Sequence, residues 1–161
     1  MSGDKLLRGV RINAQPMTRP VRIDGHTTVP RLLRARAQEN GDHPAHREKD
    51  LGIWQAYSWT DYLDHARMIG MGLRALGLQR GDVISILSED NKEWLYFDMA
   101  AQCMGAISSG VYTTDSASQL AYLVNDSGSK FLFVENDEQL DKFLEVADQM
   151  PSLIKVIILD P

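Results

Sequence analysis

The sequence predicts an α/β fold: a doubly wound parallel sheet preceded by a helix and a β-hairpin. Three observations carry this expectation. Segments of strand length recur at 83–87, 107–111, 131–134 and 154–159, mainly apolar except for Ser108-Ser109-Gly110 in the second. Segments with apolar residues at helical spacing separate them, near 91–104, 117–126 and 137–149, each led by a polar capping residue. Upstream, two short strand-like runs flank Asp50-Leu51-Gly52, a short-loop hairpin signal.

The chain divides into an extended basic arm over 1–27 and an incomplete α/β domain over 28–161. The arm has no apolar periodicity and is punctuated by Pro16 and Pro20. Thr28 can cap a helix with Pro30 in its first turn, carrying Leu32, Leu33 and Ala37 and ending at Asn40-Gly41. The hairpin occupies 45–59. Ser58 and Asp61 fit the Ser-x-x-Asp capping pattern, with Thr60 as the rival cap. The helix that follows is expected to turn Tyr62 or Leu63, Ala66, Ile69, Leu73 and Leu76 inward and to end at Gly77. Gly70 and Gly72 each cost about 1 kcal/mol against alanine in a helix. Either another backbone approaches closely there, or the imperfection is simply tolerated.

The parallel βα units occupy 82–161. Asp82 to Asp115 holds a strand, a crossover helix with Trp94, Leu95, Met99 or Asp98, and Cys103 at helical spacing, a break at Gly105, and a second strand. Ser116 and Gln119 form another capping box, leading Leu120, Leu123 and Val124 inward. Asn136 caps the last helix, with Leu140, Phe143, Leu144 and Ala147 on its inner face. The final run, Leu153 to Leu159, is nearly continuous in apolar residues, so burial on both sides is expected.

Composition bounds the function. The chain has 161 residues, 43% hydrophobic and 24% charged, with a net charge of -5. These are values of a globular protein, and the negative balance argues against nucleic acid as a partner. Residues 1–36 hold eight Lys/Arg against two acids, a balance of +6, and the remainder holds nine against twenty, or -11. A basic head of that kind could meet an anionic membrane surface or an acidic neighbouring domain; a solvated tail is the preferred reading. Cys103 stands alone, so no intrachain disulfide can form, and it reads as a small buried hydrophobe. No signal-peptide core or membrane-length apolar run is present, which makes a cytoplasmic setting, with or without peripheral membrane contact, the default expectation.

The pieces Asn91-Lys92-Glu93-Trp94, Ala100 to Ala106 and Tyr112-Thr113-Thr114 resemble the amino-terminal region of the acyl-adenylate-forming (AMP-binding) enzymes, most of all the long-chain fatty acid–CoA ligases. Tyr57 to Leu63 resembles the first core motif of that family, and Gly105 to Tyr112 the second, with Gly110 where a proline is common. The resemblance runs from about Pro44 to the carboxyl end. It implies that the intact enzyme joins a fatty acid to coenzyme A, using ATP and magnesium and releasing AMP and pyrophosphate. It also implies that the phosphate loop, the adenine motif and the mobile domain with its lysine lie downstream of Pro161. The chain is therefore expected to be a scaffold whose partner is the remainder of a parent enzyme, inactive alone and prone to self-association through exposed sheet surface. The rival reading is a stand-alone binding or signalling module of receiver or flavodoxin type, which would begin directly with a parallel strand.

No residue reads as catalytic, cofactor-binding or metal-ligating. Thr113-Thr114-Asp115-Ser116 opens a helix but lacks the glycines and lysine that wrap phosphates, so capping explains it. His43 and His46 lack partners for a metal set and read as surface histidines. His65 reads as exposed or half-packed. Glu89 and Asp90 could hold magnesium as a pair, yet Glu135-Asn136 and Asp160 do not fit well as the further groups such a site needs. Trp94 and Tyr96 read as core.

Overall fold

A computed structural model describes residues 22–159. The expected doubly wound fold is present, with α1 (Val29–Asn40), the antiparallel hairpin β1 (Pro44–Asp50) and β2 (Ile53–Ser58), and α2 (Trp59–Ala75) ahead of the sheet. The sheet contains β3 (Val83–Leu87), β4 (Ile107–Val111), β5 (Phe131–Val134) and β6 (Lys155–Ile158), all parallel, in the order β4-β3-β5-β6. The connecting helices are α3 (Lys92–Met104), α4 (Ala117–Ser127) and α5 (Asp137–Leu144). The basic arm over 1–21 lies outside the described residues. Its last part, 23–26, is a tight turn closed by an Ile23–His26 bridge rather than an extended segment.

The strands alternate between two apolar layers, as a pleated sheet covered on both faces requires. Ile84, Ile86, Phe131 and Phe133 pack with Leu73 of α2 and with Ala100 and Ala101 of α3. Leu87, Leu132 and Val134 pack on the other face with Leu120, Ala121 and Val124 of α4, and with Val146 and Met150. Two polar residues, Ser85 of β3 and Ser129, are fully buried among them and share a hydrogen bond between their hydroxyls at 2.7 Å. A third, smaller cluster joins α1 to the bundle through Leu33, Ala66 and Met99.

Capping residues act where the sequence places them. Thr28, Ser58, Asn91, Ser116 and Asn136 each accept from a backbone N–H in the first turn, and Ser58–Asp61 and Ser116–Gln119 are complete capping boxes. Ser58, not Thr60, is therefore the cap. Two hydrogen bonds to the Asp61 carboxylate, one from the Ser58 backbone N–H and one from its hydroxyl, hold Asp61 below the usual carboxylate range. The hairpin loop is Leu51-Gly52, both at positive φ (45° and 83°), which suits the right-handed twist of the flanking strands.

Three inward assignments are corrected. Leu76 is 45% exposed, because Gly77 at φ 107° redirects the chain and delivers Leu78 to the core in its place. The last helix stops at Leu144 instead of 149, and a 3-10 turn covers Ala147–Gln149. That break leaves Leu144 exposed and buries Val146 and Met150. Finally, β6 is an edge strand, so its side chains are half-buried rather than enclosed.

The two glycines of α2 divide between the alternatives. A Cβ on Gly70 would meet Met104 Cε at 3.0 Å and the Ala100 carbonyl oxygen at 3.4 Å, so α3 does approach closely. Nothing lies within 4 Å of a Cβ on Gly72. That glycine is a tolerated imperfection.

Candidate functional site

Strand order creates the site. The chain leaves β3 through α3 on one face and leaves its neighbour β4 through α4 on the other. Diverging connections open a crevice beyond the carboxyl ends of those two strands, which is where open α/β sheets take ligands. Here it has a volume of about 420 Å³. Ser88, Glu89 and Asp90 follow β3, Trp94 and Leu95 come from the first turns of α3, and Gly110 to Thr113 close the β4 side. The local sequence explains the opening. Asn91 caps α3 by accepting from the Trp94 N–H at 2.9 Å, which turns the indole toward β4. A Cβ at Gly110 would sit 3.5 Å from Trp94 Cζ2, ordinary van der Waals contact, so the ring lies against the strand at this glycine.

Polar contacts fasten the rim. The Thr113 hydroxyl donates to Glu89, and the Glu89 N–H donates to the Glu135 carboxylate at 2.7 Å. Lys142 donates to the Thr113 carbonyl oxygen. Ser88 donates to the Glu89 carbonyl oxygen at 3.0 Å and accepts from Asn91 Nδ2 at 3.0 Å. Tyr112 stands 80% exposed at the mouth.

This lining is apolar and acidic. It contains no lysine, arginine or histidine, and Lys142 on the rim is engaged by the Thr113 carbonyl oxygen, so the lining itself offers a triphosphate no counter-charge and a hydroxyl no proton acceptor poised near neutral pH. Among the described residues, no group of three His, Cys, Asp or Glu side chains could hold a metal ion. Glu135 does reach Glu89, closer than sequence position suggested, but the pair with Asp90 makes no magnesium site. The residues present therefore do not fit ATP and magnesium.

The Thr113–Ser116 stretch divides as capping requires, with Ser116 as the cap of α4 and Thr113 on the crevice rim. Cys103 is half-buried among α1 and α2 side chains, and burial pushes its thiol pKa up, away from reactivity. Tyr96 is core at 3% exposure, as expected, and Trp94, half-buried against the core, also forms a wall of the crevice. His43 and His65 are exposed, His65 with its ring stacked on Tyr96. His46 is the exception. It is no surface histidine: β1 turns it toward α2 and α3, into a group of aromatic rings.

That group anchors the hairpin. Lys92, at the start of α3, bridges Glu48 of β1 at 2.8 Å and Glu93 at 2.9 Å. Burial works against the Lys92 charge, but the two carboxylates prevail and raise its pKa. Burial likewise lifts Tyr62 and Tyr96 to about 12. Both the crevice and His46 escape sequence reading because each depends on strands and helices distant in the chain. A glycine in a β4 strand pattern, opposite a tryptophan, was the available signal for the crevice.

No helix among the described residues is long and apolar enough to cross a membrane. Comparison with known proteins places the fold and the chain together. A long-chain-fatty-acid–CoA ligase of Xenopus laevis is 32% identical over 130 residues, 81% of this chain and 18% of that protein. One of Mycobacterium bovis is 27% identical over 86% of this chain and 23% of its own length. The chain thus spans about a fifth of the length of the curated relatives it matches. Among solved structures, a fatty acyl CoA synthetase of Mycobacterium tuberculosis superposes with a TM-score of 0.75 at 21% identity, over 82% of this chain and 26% of that one. The N-terminal domain of a second Mycobacterium tuberculosis protein superposes with a TM-score of 0.74 at 21% identity, over 83% of this chain and 34% of that one. The fold is that of the amino-terminal part of adenylate-forming synthetases, and the family model described as AMP-binding enzyme matches residues 33–161; this chain belongs to the AMP-binding enzyme family.

Proposed function

We propose that this chain is the amino-terminal portion of an ATP-dependent acyl-CoA ligase that joins a fatty acid to coenzyme A. Its role there is structural: it supplies a sheet, a hairpin and the β3–β4 crevice, while groups that hold ATP, magnesium and CoA come from the remainder of the enzyme. The observation that carries this reading is the likeness to long-chain-fatty-acid–CoA ligases over four-fifths of the chain. The acidic, base-free crevice supports the division of labour. A receiver or flavodoxin-type module is disfavoured by the hairpin and α2, which precede the first parallel strand.

A chimera tests the proposal. The matching segment of the Xenopus laevis ligase is replaced by this chain's, and palmitate-dependent pyrophosphate release is followed with ATP, magnesium and CoA. Retained activity is expected from the chimera, and none from this chain by itself. A folded but inactive chimera, or turnover by the lone chain free of host ligase, overturns the reading.

The same reading extends to association. Among the described residues, both sheet edges, β4 and β6, have open backbone, and Ile107 and Tyr112 at the two ends of β4 and Tyr122 of α4 are exposed. Self-association through this surface is expected, with the remainder of the enzyme as its normal cover. Light scattering after size exclusion should show a mass that grows with concentration; a monomer throughout the range counts against it.

A further inference from the structure

His46 sits in a position that its sequence context does not require. Its ring stacks on Tyr57 of β2 at 5.1 Å and meets Tyr62 of α2 and Tyr96 of α3 edge-on, each at 5.6 Å. Nε2 hydrogen-bonds the Tyr96 hydroxyl at 3.2 Å, while Nδ1 is buried with no hydrogen-bond partner among the described residues. One residue of the hairpin thus contacts both helices on which the hairpin rests.

We propose that His46 is an acid-sensitive latch, and that its protonation releases the β1–β2 hairpin from α2 and α3. A neutral imidazole needs only one hydrogen bond to be served here, and either tautomer leaves a single modest vacancy at Nδ1. The imidazolium carries two N–H donors. The second has no acceptor in this enclosure, so the charged form is penalised wherever the hairpin stays docked.

Other charges around the ring leave that balance in place. Burial is the largest influence and lowers the His46 pKa below its ordinary value. Glu48 on the same strand and Asp61 of α2 oppose the shift, while Lys92 of α3 and His65 of α2 reinforce it. Glu48 is itself engaged by Lys92. Tyr62 and Tyr96, raised by burial, stay neutral phenols at the pH values concerned.

The sign follows from linkage. With the docked pKa below the released one, the released hairpin binds more protons, so docking is complete well above the ordinary histidine value of about 6.5 and weakens as pH falls through it. The loss grows by up to about tenfold per pH unit until the docked form also titrates. Release would free Trp54 and Lys49 from the groove that β1 shares with Asp90, Asn91 and Lys92, beside the β3–β4 crevice. Acidity would therefore remodel the approach to the family's candidate site without touching the sheet.

Two measurements on the whole chain test this. In proton–carbon NMR, the His46 Hε1 resonance should titrate below 6.5, while exposed His43 serves as an internal reference. Amide exchange between pH 8 and 5, corrected for intrinsic rates, should show hairpin residues 46–57 losing protection relative to β3 and β5. His46→Phe keeps a ring in the cluster and should flatten that hairpin profile. His65→Gln should leave it. A His46 midpoint at or above 6.5, or the same hairpin profile in wild type and His46→Phe, overturns the proposal.

Discussion

The sheet and the hairpin are held to the same helices by opposite means. Between β3, β5 and their helices the contacts are dry: Ile84, Ile86, Phe131 and Phe133 are fully buried, and Phe97 packs on Phe133 with ring centroids 3.9 Å apart. Between the hairpin and α2–α3 the contacts are aromatic and polar: three tyrosine rings around His46 and the Glu48–Lys92–Glu93 bridge. Apolar burial is indifferent to pH and nearly so to salt, whereas ring-to-hydroxyl and ionic contacts answer to both. One small chain therefore holds a robust unit and a tunable one against a shared pair of helices.

The comparison is broken most severely from the sheet side. Phe133→Ala removes a fully buried ring from the layer that α3 covers, and should cost about 3–5 kcal/mol. Urea unfolding followed by circular dichroism measures it. A loss under about 1 kcal/mol would mean that the sheet is not the robust partner.

Smaller effects sharpen the helix surface they share. Gly72→Ala meets open space and should stabilise by about 1 kcal/mol through helix propensity. Gly70→Ala meets Met104 and the α3 backbone, and should forfeit that gain. Equal shifts in the two midpoints would contradict the close approach of α3. On the hairpin side, Lys92→Met should cost no more than about 1 kcal/mol, since the pair is a quarter exposed (27% and 25%) and screened. Its distinguishing mark is salt: the difference between Lys92→Met and wild type should shrink in 1 M sodium chloride, while that of Phe133→Ala should not.

Local chemistry was legible throughout. Thr28, Ser58, Ser116 and Asn136 act as caps where short-range patterns indicate, and β3, β4 and β5 begin and end at the expected residues, because hydrogen-bond satisfaction and turn conformation are decided within a few residues. Misreadings fall where a helix meets its end. Leu76 and Leu144 continue an apolar stripe on paper, but the chain has turned by then, and Leu78 and Val146 take the buried places.

What the sequence by itself determined is the set of elements, their caps and their two-faced apolar pattern, together with motifs enough to mark the family. What only the tertiary structure decided is the order β4-β3-β5-β6, and with it the crevice between Trp94 and Gly110 and the enclosure of His46. The physical reason is range. A cap or a strand is stabilised by neighbours in the chain, whereas a crevice at diverging crossovers, or a histidine meeting a tyrosine fifty positions away, exists only once separate layers have packed.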